Sequence, residues 1–98
     1  MSSDQALKTQ MMQWRHHLHQ HPETGFEEHQ TAQFVTKTLT DMGLDVVTGI
    51  GGTGLIASIT RGTSDKVVAI RADMDALNIC EAATDRQHAS QHDGKMHA

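Results

Sequence analysis

The sequence has only one cysteine, Cys80, which excludes an internal disulfide. No apolar run approaches the roughly 18 residues that a membrane-spanning helix needs, and the start of the chain lacks the basic and apolar regions of a secretory signal. Eight basic and twelve acidic residues, with no long run of one sign, give no electrostatic reason to expect nucleic acid or an anionic membrane as a partner. These absences favour a cytoplasmic protein with small-molecule or protein partners.

Aromatic residues are also scarce, because the chain has one tryptophan, two phenylalanines and no tyrosine, whereas histidine occurs eight times. This ratio of histidine to aromatic residues is unusual for a packed domain and indicates a polar functional site. At 98 residues the chain forms one domain at most.

The first 43 residues predict two helices. Between residues 5 and 19 the apolar residues recur at helical spacing: Leu7, Met11, Trp14 and Leu18. Pro22 forces His21 out of helical dihedrals and ends this helix. Thr24 and Glu27 have the spacing of a capping box, which predicts that a second helix starts near Gly25. Its predicted buried face is Phe26, Val35, Leu39 and Met42, and Gly43 predicts its end.

After Gly43 the pattern changes to three short β-branched runs, "LDVVTGI", "TGLIASIT" and "DKVVAIRADM". Gly62 predicts an antiparallel hairpin between the second and third runs. Residues 67–70 are apolar at every position, which is typical of a central strand buried on both faces. From Asn78 onward the sequence is polar and has no period. We therefore predict an α/β fold of two helices, about three strands and a long loop.

Asp73 and Asp75 lie at the end of the third run, two residues apart, so an extended backbone directs both carboxylates to one side. One interpretation makes them active-site carboxylates that bind a metal or support its ligands. The other makes them turn-forming residues, with Arg71 neutralising one of them. The residues alone do not separate the two interpretations.

The last eleven residues, "HASQHDGKMHA", contain His88, His92 and His97 beside Asp93. These side chains could form a zinc-type site with Asp93 as the fourth ligand or as an orienting group. Ser90 and Gly94 would break a helix that placed the imidazoles on one face, so a solvated loop is the better supported interpretation.

Three other motifs carry less chemistry. The histidine-rich "RHHLHQH" near the end of the first helix is typical of a surface that compensates the helix dipole. The stretch "GIGGTG" lacks the lysine and serine of a phosphate loop and predicts a glycine-rich turn. Cys80 has no neighbouring base in the sequence, so nothing supports nucleophilic catalysis by its thiol.

Four stretches, in this order and at these distances, resemble the N-terminal part of the M20 family of metal-dependent amidohydrolases: "WRHHLHQHPETGFEEHQTAQFV", "GTGLIASI", "VVAIRADMDAL" and "HASQHDGKMHA". The most similar branch contains hippurate hydrolases, N-acyl-amino-acid amidohydrolases and auxin-conjugate hydrolases. The resemblance implies that residues 1–98 are the N-terminal portion of a zinc-peptidase-like catalytic domain and stop before its metal-binding motif.

In that branch "MHA" is followed by Cys-Gly-His-Asp-Gly-His, whose cysteine and first histidine bind metal. The resemblance thus implies no metal ligand in this chain, and it assigns His88, His92 and His97 to the approach loop. Arg71 stands where many M20 relatives carry a histidine ligand, while Asp73 matches the aspartate of the same motif. Together with Asp75 it is expected to support the active site. Asn78 departs from the proline usual in this branch.

For the full-length protein the resemblance implies hydrolysis of the amide bond in N-acyl amino acids or related conjugates. Two zinc or manganese ions would activate a water, a glutamate outside this chain would act as general base, and the protein would be a homo-oligomer. The chain alone is expected to be inactive and to need no cofactor. The competing hypothesis is a non-catalytic, histidine-rich module that binds metal or a partner.

Overall fold

The computed structural model describes residues 2–82, 87–92 and 94–98, and it confirms both predicted helices. Helix α1 spans Ser2–Gln20 and helix α2 spans His29–Asp41. Strand β1 at Asp45–Ile50 and strand β2 at Gly54–Ser58 follow. Within these residues no further helix or strand forms.

Helix α1 buries only the C-terminal half of its apolar face. Leu7 and Met11 are 49% and 54% exposed, whereas Trp14 and Leu18 are half-buried. As the sequence predicts, the helix ends just before Pro22. The Pro22 side chain is fully buried. In the described part of the chain, no helix is long and apolar enough to cross a membrane.

Helix α2 begins at His29, so the predicted start near Gly25 is wrong. The cause lies in the preceding residues, where the Glu27 N–H donates to the Thr24 carbonyl at 2.9 Å and Phe26 has a φ of +63°. A left-handed φ at a bulky residue cannot continue a helix. Phe26 is consequently outside the helix and 80% exposed, not part of the predicted buried face.

The predicted end of α2 is confirmed. Gly43 has a φ of +90°, its N–H donates to the Thr40 carbonyl at 2.9 Å, and the Leu44 N–H donates to the Leu39 carbonyl at 3.1 Å. This pair of bonds is a Schellman motif, which satisfies carbonyls that have no partner within the helix.

Strands β1 and β2 form an antiparallel hairpin in which Val47 pairs with Ile56. The predicted glycine-rich turn joins them, and Gly54 is needed there because a Cβ would lie 2.6 Å from the Ile50 carbonyl oxygen. The hairpin predicted between the second and third runs is wrong, since Gly62 lies in a loop and no strand follows it among the described residues.

The third predicted strand is absent from the described structure. Residues 67–70, called the apolar strip below, form no ladder, and Val67, Val68 and Ile70 are 88%, 90% and 94% exposed. A strand needs a hydrogen-bonded neighbour along its edge, and the sheet of the described residues consists of β1 and β2. The third strand therefore depends on residues that the described part does not supply.

The molecule is flat, with principal dimensions of 49 × 38 × 20 Å. Its buried side chains lie where the turn between the helices meets the segment after the apolar strip, and they include Pro22, Glu28, Thr31 and Ala76. The backbone makes the junction, because the Ala76 N–H donates to the Glu23 carbonyl at 2.7 Å and Ala76 bridges to Thr24. This junction places the segment around Ala76 against the turn between the two helices.

Candidate functional site

A cleft of about 760 Å³ opens between the two helices and the C-terminal segment. Much of its wall is apolar, with Leu18 from α1, Val35 from α2, and Met74 and Met96 from the later segments. Polar side chains converge on the same space: Arg15, His19, Asp73, Glu81 and His97. A mostly apolar pocket with a few polar groups is the usual form of a small-molecule site.

Glu81 fastens the C-terminal loop to helix α1. Its Oε1 lies 2.6 Å from the His19 Nε2 and accepts the Ser90 N–H at 3.2 Å. The His19 side chain is 18% exposed and the Glu81 side chain is 7% exposed, so the contact is shielded from water. A shielded carboxylate–imidazole contact is stronger than a surface pair, because less solvent competes for it.

Residues 87–92, called the docked loop below, also contact the last turns of α1 directly. The Gln91 N–H donates to the Gln20 carbonyl at 2.9 Å, and the Gln20 Nε2 donates to the Gln87 carbonyl at 2.7 Å. The His16 and His88 rings stack with centroids 3.9 Å apart. The histidine-rich end of α1, which the sequence predicts to compensate the helix dipole, is thus also the surface on which the loop docks.

The last residues are held by a second set of bonds. Leu77 and Met96 exchange two backbone hydrogen bonds of 2.9 and 3.0 Å. The Ser90 hydroxyl donates to the Lys95 carbonyl at 2.7 Å and so closes the turn between the docked loop and Met96. His97 is thereby placed in the cleft wall.

Glu23 caps helix α2 in place of Thr24. Its Oε1 accepts the Thr31 N–H at 2.6 Å and its Oε2 accepts the Gln30 N–H at 3.2 Å, while Glu28 at the capping position makes no side-chain cap bond. Burial raises the pKa of Glu23, but the hydrogen bonds from Thr31 and Gln30 and the nearby His29 outweigh it. The pKa therefore lies below the ordinary value of 4.5.

Glu28 links the start of α2 to the hairpin turn. It is 7% exposed, its Oε1 accepts the Glu27 N–H at 3.1 Å, and its Oε2 accepts the Thr53 hydroxyl at 2.9 Å. Sequence reasoning missed the contacts of Glu23, Glu28 and Glu81, because their partners lie up to 62 positions away and no local pattern marks them. The one available signal was the group of acidic residues that follows Pro22, namely Glu23, Glu27 and Glu28.

The structure places the two predicted carboxylates differently. Asp73 lines the cleft, and its Oδ1 lies 2.7 Å from the Arg71 guanidinium, with both side chains largely exposed. Asp75 is exposed beside the turn between the helices, where its Oδ2 lies 3.9 Å from the position of a Cβ on Gly25. The ion pair with Arg71 is the contact expected of a turn residue, and a role in supporting an active site stays a prediction for both.

His97 is the one tail histidine in the cleft. Its Nε2 is buried and has no hydrogen-bond partner among the described residues. Burial lowers the pKa of His97, the nearby His19 lowers it further, and Asp75 opposes the change, so the ring is neutral at physiological pH.

The three tail histidines do not converge. His88 stacks on His16, and His92 lies edge-on to His21 with 6.2 Å between ring centroids, whereas His97 faces the cleft. Across residues 2–82, 87–92 and 94–98, no three histidine, cysteine, aspartate or glutamate side chains are placed to hold a metal ion. Asp93, the fourth candidate, lies outside the described residues. The described side chains thus do not fit a metal centre by themselves.

Known proteins are similar to this chain in sequence and in structure. The chain is 46% identical over 92 residues to the N-acyl-L-amino acid amidohydrolase of Geobacillus stearothermophilus, covering 94% of this chain and 25% of that protein. It is 42% identical over 84 residues to the hippurate hydrolase of Campylobacter jejuni, covering 86% and 22%.

Among solved structures, the Bacillus subtilis YXEP protein, a dinuclear metal-binding peptidase from the M20 family, superposes with a TM-score of 0.87 at 38% identity. This chain belongs to the M20 family. The match covers 96% of the chain and 26% of the YXEP protein, so the chain spans about a quarter of the length of its M20 relatives. A scan against family models finds no match.

Proposed function

We propose that these residues form the N-terminal portion of the catalytic domain of an M20 hydrolase that cleaves the amide bond of N-acyl amino acids or related conjugates. One observation carries the proposal: 46% identity to an N-acyl-L-amino acid amidohydrolase extends over 94% of the chain. The structural match to the YXEP protein over 96% of the chain supports it.

In this proposal the chain supplies scaffold and one wall of the active site. Glu81 and His19 fix the docked loop on α1, and the Leu77–Met96 bridge fixes the segment that carries His97. Asp73 faces the cleft and supports the site from there. The zinc or manganese ions would be held by residues elsewhere in the polypeptide, where they would supply Lewis-acid chemistry. The 98 residues alone are therefore inactive.

A fused chain tests this function. Residues 1–98 would replace the matching quarter of the Geobacillus stearothermophilus amidohydrolase, and release of free amino acid from N-acetyl and N-benzoyl amino acids would be measured. We expect activity from the fused chain and none from the 98 residues. An inactive fused chain that is folded and metal-loaded would contradict the proposal.

Asp73 can be tested in the same fused chain. We expect Asp73→Asn to reduce kcat by about tenfold, the usual minimum when a group supporting a metal site is removed. Asp65→Asn, at an exposed carboxylate outside the cleft, is the matched control. Equal activity of the two variants would show that Asp73 does not support the active site.

Zinc titration separates the hydrolase from a histidine-rich binding module. Because the tail imidazoles point to three different places, we expect only weak binding of zinc to the 98 residues, without a fixed stoichiometry. Binding of one equivalent at submicromolar affinity, lost when His88, His92 and His97 are replaced together, would favour the module.

A further inference from the structure

Two histidines lie one helical turn apart at the end of α1. His17 belongs to the last turn of the helix, and His21 is four positions later. The His21 N–H donates to the Leu18 carbonyl at 3.2 Å, which continues the turn as far as His21. Side chains four positions apart share one face of a helix. The two imidazole rings accordingly have centroids 5.0 Å apart, with their planes tilted by 54°.

The nitrogens of these two rings are available to a ligand. Within residues 2–82, 87–92 and 94–98, His17 and His21 make no side-chain hydrogen bond or ion pair, whereas His19 contacts the Glu81 carboxylate at 2.6 Å. Both side chains are half-buried, and neither has a buried nitrogen without a partner of the kind found in His97. The ring nitrogens of His17 and His21 therefore face water, where a metal ion can reach them.

Both imidazoles are held in place by their surroundings. The His17 ring stacks on Phe34 of α2 with centroids 4.5 Å apart and planes 24° from parallel. This contact uses the face of the ring and leaves the nitrogens at its edge. The backbone at His21 is fixed by the next residue, Pro22, whose side chain is fully buried. Groups that are already ordered lose less conformational entropy when they bind a ligand.

The spacing of the two rings fits a shared metal ion. A transition metal bound to imidazole lies about 2 Å from the nitrogen and hence about 3.2 Å from the ring centroid. Two imidazoles on one ion then have centroids about 4.5 Å apart in a square-planar arrangement and about 5.2 Å apart in a tetrahedral one. The observed separation of 5.0 Å between His17 and His21 lies between these values.

We propose that His17 and His21 form a two-histidine binding site for copper(II), with water in the other coordination positions. Imidazole nitrogen suits copper, and at a given nitrogen site copper(II) binds more tightly than nickel(II) or zinc. Calcium and magnesium prefer oxygen ligands and are excluded. A closed zinc site is excluded as well, because the described residues place no three histidine, cysteine or acidic side chains around one point. The site is independent of the proposed hydrolysis.

His92 is the nearest alternative ligand and does not fit the same ion. Its ring centroid lies 6.2 Å from that of His21, which is about 1 Å beyond the tetrahedral separation. Its side chain is exposed and belongs to the docked loop, whereas the proposed pair belongs to α1 and the residue that follows it. His92 is therefore a matched control for the two proposed ligands.

Fluorescence of the one tryptophan tests the site. Trp14 lies three positions before His17 on α1, which is the spacing of neighbouring side chains, so copper(II) bound at the pair should quench its emission. The 98-residue chain would be titrated with copper(II) chloride and, separately, with zinc chloride. We expect quenching by copper(II) that saturates after one equivalent, and weaker binding of zinc measured by its competition with copper(II). Quenching that does not saturate, or tighter binding of zinc, would overturn the proposal.

Substitutions assign the ligands. His17→Gln and His21→Gln should each raise the copper(II) concentration at half-saturation at least about tenfold, since loss of even an outer-shell partner of a metal costs that much. His17→Phe should have the same effect while keeping a ring stacked on Phe34, and helix content measured by circular dichroism would show that each variant folds. His92→Gln should leave the titration unchanged. Unchanged affinity in a folded His17 or His21 variant, or an equal loss in His92→Gln, would overturn the proposal.

Discussion

The docked loop and the apolar strip are both irregular, yet they differ in what they contact. The docked loop is bound to α1 by Glu81, by the backbone of Gln91 and by the stacked pair of His16 and His88. The strip, although apolar at every position, contacts no strand in the described chain. The polar segment is fixed and the apolar one is exposed, which reverses the usual arrangement of a folded domain.

The difference shows which interactions these residues complete among themselves. Hydrogen bonds need only a partner at the right distance, and Glu23, Glu28 and Glu81 each find theirs within the chain. Burial of a strand needs layers on both faces and neighbours on both edges. In an M20 protein, of which this chain spans about a quarter, we propose that the rest of the polypeptide supplies them.

Removal of the Glu81 carboxylate should affect the docked loop most. Glu81→Ala leaves the half-buried His19 ring and the Ser90 N–H without their shared acceptor, which costs about 2 kcal/mol and should speed amide exchange at Ser90 about 30-fold. Glu27→Ala, at an exposed carboxylate, is the control and should leave exchange at Ser90 unchanged. Equal exchange in both variants would mean that the loop is held without Glu81.

Loss of the Glu23 cap should have a smaller effect, at the start of α2. Glu23→Ala leaves the Gln30 and Thr31 N–H groups without a side-chain acceptor, which costs about 1 kcal/mol and should speed their exchange about fivefold. Protection of Thr31 that survives the substitution would assign the cap to another group.

The same cap predicts a dependence on acid. Because the pKa of Glu23 is lowered in the folded chain, its contribution is fully present above the ordinary value of 4.5 and is lost as the pH falls through the lowered pKa. Exchange at Thr31, corrected for the intrinsic effect of pH, should therefore accelerate below that range, and Glu23→Gln should remove this dependence. A Gln variant with the same acid response would contradict it.

Substitution of Thr24 should have the smallest effect. The capping-box spacing predicts a loss of about 1 kcal/mol for Thr24→Ala, but in the structure the Thr24 hydroxyl donates to the exposed Glu27 carboxylate at 3.2 Å and not to the carbonyl or N–H groups of α2. We expect a change within about 0.5 kcal/mol, measured by exchange at Thr31. A loss of stability near 1 kcal/mol would show that Thr24 caps α2 after all.

Features set by neighbouring residues could be predicted from the sequence. Pro22 and Gly43 mark helix ends, and "GIGGTG" marks the hairpin turn, because each acts through its own dihedrals. The start of α2 could not be predicted, since Glu23 caps it only after the turn at Phe26 brings its carboxylate back to Thr31. The pairing of the third run and the docking of the loop on α1 depend on contacts between distant segments, which local patterns do not encode.

Amide hydrogen exchange in the 98-residue chain and in the fused chain tests the central claim most directly. We predict that residues 67–70 exchange at nearly unprotected rates in the 98-residue chain and become protected in the fused chain, while Thr31, Ser90 and Met96 are protected in both. Protection of residues 67–70 in the short chain, or its absence in a folded fused chain, would contradict the account.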